Sequence, residues 1–350
     1  PTPTPLVPGP DTPFTVLGCV STNARYCVQA EDRMQYFTVP AYIDDRTGRP
    51  ALVGLMIFAQ LGPLLVLSIP GGVLADRVSK QKLQLTMQSA SVVLTIAIAY
   101  FVATETALWT IFLAQLGIGI ANAFNAPAFQ SSMPLLVHRQ DLPGAISLNS
   151  AMINGTRVIG PVLAAVLAVA GLSVSSIFLV NAATYLFFIA ALLIVRMPDV
   201  RSGNTTRGFR SLTIGLKIAK HRLVLNRLLL GMFLFSLFSL VYIGLFPSVA
   251  RLNFDIAPAS ATYRWLYATW GAGAVVGAVS GGTVQSAIDR QLLSVRVFTG
   301  SAIARGIFSQ IRGPELAFPV GFVLGFFYFM TATAITTTFQ LNMKNTERAT

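Results

Sequence analysis

Along residues 51–83 the chain reads ALVGLMIFAQLGPLLVLSIPGGVLADRVSKQKL, and this alternation of apolar run and polar stop frames the rest. From Pro50 to Ala75 there are 26 consecutive residues without a charge. A helix needs about 20 predominantly apolar residues to cross the hydrocarbon core of a bilayer. The run stops at Asp76 and Arg77, Lys80 and Lys82 follow, and residues 83–104 give another 22 uncharged positions. Two antiparallel membrane helices joined by a tight basic turn are predicted. The turn faces the cytoplasm, where Lys and Arg collect.

Similar runs recur. A fourth span lies within 106–137, rich in small residues (Gly117, Gly119, Ala121, Ala123, Ala126) that let membrane helices approach closely. On it Gln115, Asn122 and Asn125 are read as bonding across helices or facing a cavity, and Pro127 and Pro134 as marking its end. A fifth span begins near Ala145, a sixth covers 174–195 with Asn181 its one amide, and a seventh covers 228–250. The eighth, 265–288, carries Gly271, Gly273, Gly277, Gly281 and Gly282, and the tenth runs from Leu316 to about Gln340.

Two stretches fit poorly. The first span should lie within 14–43 but holds Arg25, Glu31, Asp32 and Arg33, and the ninth, within 292–311, is interrupted by Arg296 and Arg305. Each charge at a helix centre costs about 2.5–3.5 kcal/mol on insertion scales. A water-lined helix and a locally corrupted sequence are both open readings. The DDRTGRP segment after the first span is read as an outer turn whose charges cancel.

Arg157 is the one charge well inside the otherwise uncharged fifth span. An Arg at that depth needs water, a partner or backbone carbonyls. It is therefore a candidate for the central cavity or a proton relay, with Asn154, Asn125 and Gln115 as amides that would line the cavity or cap the guanidinium.

The polar stretch 196–227, with eight basic residues and one Asp, divides the chain. Leu212, Leu216, Ala219 and Leu223 fall on one helical face and Arg210, Lys217 and Lys220 on another, the pattern of an interfacial amphipathic helix on anionic lipid. Four regions result: a disordered tail (1–13), an amino-terminal six-helix half (14–196), a cytoplasmic linker (197–227) and a carboxy-terminal part with four spans (228–350). An offset of 206 aligns Gly119 with Gly325 and Ala126 with Ala332, the mark of an internal repeat. The exit of the eighth span, GGTVQSAIDR, is a faded copy of the loop after the second.

Composition narrows the class further. The chain is 54% hydrophobic and only 11% charged, against about 25% charged in soluble domains. Its net charge of +12 sits mostly at helix ends and in loops, which argues against nucleic acid and puts the amino terminus inside. Ten-residue alternating strands of a β-barrel are absent. Cys19, Cys27, His138 and His221 offer no metal-ligand spacing, and no Ser-His or His/Asp set sits in the spans. No cofactor, metal or enzyme chemistry is expected.

The string from Gly72 to Lys82, with Asp76, Arg77, Lys80 and Lys82, resembles the Gly-x-x-x-Asp-Arg-x-Gly-Arg-Lys signature of the major facilitator superfamily, with Ser79 for the second Gly and Gln81 for a basic position. Thr156 to Ala165 resembles the fifth-helix motif of its exporter and antiporter branches, Gly-x-x-x-Gly-Pro-x-x-Gly-Gly. Gly160 and Pro161 match, and Thr156, Ala164 and Ala165 replace glycines with small residues. The resemblance implies an all-α polytopic bundle of two pseudo-repeated halves, about ten of twelve helices present, closest to the enterobactin-exporter-like and multidrug efflux branch. It implies proton-coupled export of a small amphipathic, drug-like or siderophore-like molecule across a bacterial inner membrane, by a protein monomeric if complete. It also implies that Asp76 latches one conformation by pairing with groups at an eleventh helix. An uptake permease of the same fold and a non-transporting remnant remain alternatives. On the twelve-helix scheme the chain alone is expected not to complete a transport cycle, with the Gly271 to Gly282 face left to lipid.

Overall fold

The computed structural model describes residues 35, 38–136, 159–160, 163–164, 166–167, 170–194, 226, 230–231, 233–237, 241–284 and 290–342. The tail, the charged stretch 25–33 and the linker 197–227 except residue 226 lie outside these residues. Among the described residues the structure is helical, without strands. α1 covers 38–47, α2 Pro50–Arg77, α3 Lys80–Ala103 and α4 Leu108–Leu136. α5 is described at Ile159, Gly160, Leu163, Ala164, Val166 and Leu167, and α6 is Val174–Ile194. A short helical segment, Val241–Gly244, leads into α7, Phe246–Phe254; then come α8 (Ala261–Val284), α9 (Arg290–Gln310) and α10 (Pro314–Asn342).

Local chemistry sets the ends. Gly48 at φ +62 reverses the chain between α1 and α2, and Pro50 opens α2, where a missing N–H costs nothing. α2 stops at the extended Val78, whose N–H returns to the Leu74 carbonyl at 3.0 Å. Only Val78 and Ser79 separate α2 from α3, as the basic turn predicts. The DDRTGRP segment is different from its expected form: Asp44 to Thr47 belong to α1, and the turn itself is Gly48 and Arg49. Arg46 then reaches from α1 to the next turn, donating to the carbonyls of Glu105 (2.7 Å) and Thr106 (3.0 Å).

Three other expectations are corrected. α4 runs through Pro127 rather than ending there, since neighbouring helices and local adjustment accommodate Pro in membrane helices, and its described part reaches Leu136, two residues past Pro134. The seventh span is not one straight rod; it breaks at Leu245, just ahead of Pro247, whose ring supplies no N–H to the preceding turn. α9 is continuous despite Arg296 and Arg305, with Arg296 exposed and Arg305 half-buried.

The repeat is visible in the packing. α4 and α10 are both 29 residues long, displaced by 206 along the chain. α4 lies against α2, and α10 against α8. A Cβ on Gly119 would sit 2.6 Å from the carbonyl oxygens of Ala59 and Gln60 on α2. The same would happen on Gly325, against the Trp270 carbonyl of α8. Gly273 and Gly277 of α8 abut the Phe322 and Phe326 carbonyls of α10. Gly273 and Gly277 are therefore packed on α10, not left to lipid.

Val53, Met56, Ile98, Ile111, Ile118 and Phe178 form the core of the first half. In the second, Phe246, Phe254, Tyr263, Tyr267, Trp270 and Phe308 dominate an aromatic core. The outside is apolar too, with Leu65 80% and Val66 72% exposed. Five helices among the described residues are long and apolar enough to cross a membrane. Soluble proteins rarely expose such contiguous apolar surface; here it faces acyl chains.

Candidate functional site

The two halves meet through α1, α2, α5 and α6 on one side and the segment from Gly244 to Phe254 on the other. Gly244 accommodates the Ile57 side chain of α2, and Ala41, Ala164, Leu167, Leu172 and Ile177 join the aromatic core of the second half. In this seam sits Asp44, fully buried. Its carboxylate accepts from Ser248 Oγ at 2.6 Å, from Arg251 Nε at 2.8 Å and from Arg251 Nη2 at 3.3 Å. Nη2 also donates to the Gly48 carbonyl at 2.8 Å. One carboxylate thus clasps α1 to α7 with three bonds. The hydrogen bond to Asp44 raises the pKa of Arg251 above its already high ordinary value, so this partner stays charged.

Sequence reasoning missed this clasp, having counted Asp44 among cancelling charges of a turn. A signal was present: Asp44 and Arg251 are 207 apart, almost the repeat offset of 206. Opposite charges at equivalent positions of two repeated halves face each other across the seam.

At the far end of α2 lie the signature residues. Asp76 is half-buried and has no ion pair among the described residues; Arg77 and Lys82 are exposed, Lys80 half-buried. Leu74, Arg77, Ser79, Lys82 and Met87 line a groove of about 410 Å³ at this corner. Gly72 faces open space, whereas Gly71 makes the close contact: a Cβ there would lie 2.7 Å from the Ala123 carbonyl of α4. The signature Gly is not the packing one.

Between the two ends, amides are buried in the first half. Gln35 Nε2, three residues ahead of α1, donates to Gln115 Oε1 of α4 at 2.7 Å. Gln35 Oε1, Gln115 Nε2, Gln60 Nε2 and Asn125 Oδ1 are buried without a hydrogen-bond partner. Such groups cost free energy until water or a ligand satisfies them. Gln115 and Asn125 were anticipated; Gln35 and Gln60 were not, because a lone Gln in an apolar run gives no periodic signal. Replacing Gln115 by Leu is expected to strand Gln35 and cost about 1–3 kcal/mol, read as a lower unfolding midpoint in detergent. Of the fifth-span residues, Gly160 and Ala164 are buried on α5, while Asn154, Thr156, Arg157, Pro161 and Ala165 lie outside the described residues. Among the described residues no group of His, Cys, Asp and Glu has the makings of a metal site.

A repeated helical bundle with a clasp between its halves, and with charges flanking its two-residue α2–α3 turn, is matched by a family model described as transmembrane secretion effector, over residues 41–349. The chain belongs to that family, within the major facilitator superfamily. Among this family member's relatives are an enterobactin exporter from Shigella boydii serotype 4 (strain Sb227), 26% identical over 77% of the chain and 64% of that protein, and a staphyloferrin A transporter from Staphylococcus aureus (strain NCTC 8325 / PS 47), 32% identical over 40% of the chain and 35% of that protein. The chain thus spans 64% of the length of the exporters it matches. Its fold is similar to a bacterial homologue of the lysosomal transporter Spinster, solved inward-facing and unoccupied (TM-score 0.71, 15% identity, 97% of this chain and 78% of that one). It is also similar to the nucleoside transporter NupG (TM-score 0.71, 12% identity, 95% and 85%).

Proposed function

We propose that the chain works as a proton-coupled secondary transporter that exports a small amphipathic molecule, drug-like or siderophore-like, by alternating access. The observation that carries this reading is the clasp between α1 and α7. Asp44, Ser248 and Arg251 hold the halves together where α1 meets α7, and a transport cycle consists of trading such a closure for one at the other end. On this reading the Asp44 end is external and the Asp76 turn cytoplasmic, with the amino terminus inside, and the conformation is inward-facing. We assign the substrate path to the space between the halves, with Gln115 and Asn125, whose buried amide atoms are unmet within the first half, as the candidates to line it. The bilayer and protons are the other partners.

Arg157 is assigned to the cavity, to bind a polar or anionic group or relay protons. Arg157→Gln is then expected to change transport rate and its pH dependence in proteoliposomes; an unchanged profile leaves it a structural residue. Asp76, far from the midplane, is assigned to switching. Asp76→Asn is expected to slow turnover about tenfold with apparent affinity nearly unchanged. A large loss of affinity at normal turnover contradicts the assignment. Export itself is tested in inside-out membrane vesicles with an imposed proton gradient: gradient-driven accumulation of an amphipathic fluorophore is expected, and accumulation only in right-side-out vesicles indicates uptake.

A further inference from the structure

Arg77 and Lys82 are two cations to which the transport reading gives no task. Both are exposed, and among the described residues neither side chain makes a hydrogen bond or an ion pair. They line the groove of about 410 Å³ at the α2–α3 corner. The groove has a cause in the packing. α2 and α3 both lie against α4 and touch each other little, so beyond the turn at Val78 and Ser79 they diverge around a wedge of space. Leu74, Val78, Leu83 and Met87 give its walls an apolar lining, and Leu83 packs inward with Ala75 and with Ala128 of α4. Ser79 and Thr86 add hydroxyls.

Charge and surroundings decide what fits. Two cations and no carboxylate line the groove; Asp76 is not part of its walls. Such a concave positive site favours an anion, and both Arg and Lys suit phosphate oxygens. The exposed face of α3 continues from the groove through Lys82, Thr86, Ser89, Val93, Ile96 and Tyr100. It is polar up to Ser89 and apolar from Val93 on. From Lys82 to Ile96 it climbs about 21 Å at roughly 1.5 Å per residue. A soluble phosphate uses only the lower part of this track. A phospholipid uses both parts, with its phosphate at the cations and an acyl chain along Val93 and Ile96.

We infer that this groove seats an anionic phospholipid, its phosphate held between Arg77 and Lys82 on the flank of Asp76. Only the leaflet, the cytoplasmic one, rests on the transport reading; binding is measured without transport. Native mass spectrometry of the detergent-solubilised chain, titrated with phosphatidylglycerol or with phosphatidylcholine of the same acyl chains, reads the lipid retained. Phosphatidylglycerol is expected to bind about twentyfold more tightly, at about fivefold for each basic residue. Arg77→Gln and Lys82→Gln are each expected to lose about fivefold, and the double variant the whole preference. Arg296→Gln removes the same charge from an exposed position on α9 and is expected to change nothing. Thr86→Trp fills the groove with its charges kept and is expected to weaken the lipid. Equal affinity of the native chain for the two lipids overturns the seat. So does an equal loss in Arg296→Gln and Arg77→Gln, which makes the attraction diffuse. Unchanged binding in Thr86→Trp puts the lipid outside the groove and overturns it too. Displacement by millimolar glycerol phosphate makes this a site for soluble phosphates and overturns the lipid assignment. Loss of the lipid preference with vesicle export intact leaves the transport reading standing.

Discussion

Gly273→Leu and Gly325→Leu are each expected to abolish the folded bundle. The two glycines sit on facing surfaces of α8 and α10, where even a Cβ would collide with a backbone carbonyl: Phe322 for the first, Trp270 for the second. A backbone atom cannot rotate away as a side chain can, so the helices must separate. Between membrane helices no hydrophobic force opposes that separation; close packing and interhelical hydrogen bonds hold them, and small residues make the approach possible. Overpacking a soluble core costs about 1–3 kcal/mol, and here the closest contact between two long helices is lost as well. Gly306→Leu is the control, because nothing lies near that position. Fluorescence-detected size exclusion of the detergent-solubilised chain should show a monodisperse peak for Gly306→Leu and aggregate for the other two. A monodisperse Gly325→Leu variant at native yield contradicts the packing described.

Asp44 and Arg251 carry the second large effect. Arg251→Leu leaves a buried carboxylate with Ser248 as its remaining side-chain donor. Removing one partner of a buried pair costs about 3–5 kcal/mol. The lower part of that range applies, because the Arg251 side chain is 29% exposed and the Asp44 side chain 0%. The loss falls on the closed conformation alone if the clasp parts during the cycle, so about 3 kcal/mol shifts the closed-to-open ratio by roughly a hundredfold. Asp44→Asn keeps the shape and weakens the same contact. The double variant Asp44→Asn with Arg251→Leu should cost less than the sum of the two, a coupling of at least about 1.5 kcal/mol. Thermal unfolding of the four proteins measures it, and strict additivity removes the pair's importance.

What was legible in the sequence was legible for physical reasons. Charges end membrane helices, so the α2–α3 turn at Asp76, Arg77, Lys80 and Lys82 stood out at once. Internal repetition survives in residues that packing constrains, which is why Gly119 and Gly325 aligned and why both prove to bring helices together. The bundle class followed from those two patterns. Pairing across the seam was less visible. Asp44 and Arg251 are separated by most of the chain, and only the near-equality of their spacing with the repeat offset connects them. Insertion cost misled the reading of α9, because a per-residue penalty takes no account of a packed face on which Ser301 accepts a hydrogen bond from Arg305. Proline misled in the same way at Pro127, where the surrounding helices carry α4 onward. The signature pointed to Gly72 although its neighbour Gly71 makes the contact, since a motif records family resemblance and not the direction of a Cβ.

The central claim, that the α1–α7 seam is a gate that opens, is tested most directly by a distance across it. Cys19 and Cys27 are replaced by Ser, and spin labels are attached at Arg49→Cys and Leu252→Cys, both exposed positions beside the clasp. Pulsed electron double resonance in nanodiscs then reads the separation of the two halves. The account predicts a dominant short distance in the otherwise native chain and a second, longer population that grows to the majority when Asp44→Asn is added. A single short distance that Asp44→Asn leaves unmoved would contradict it.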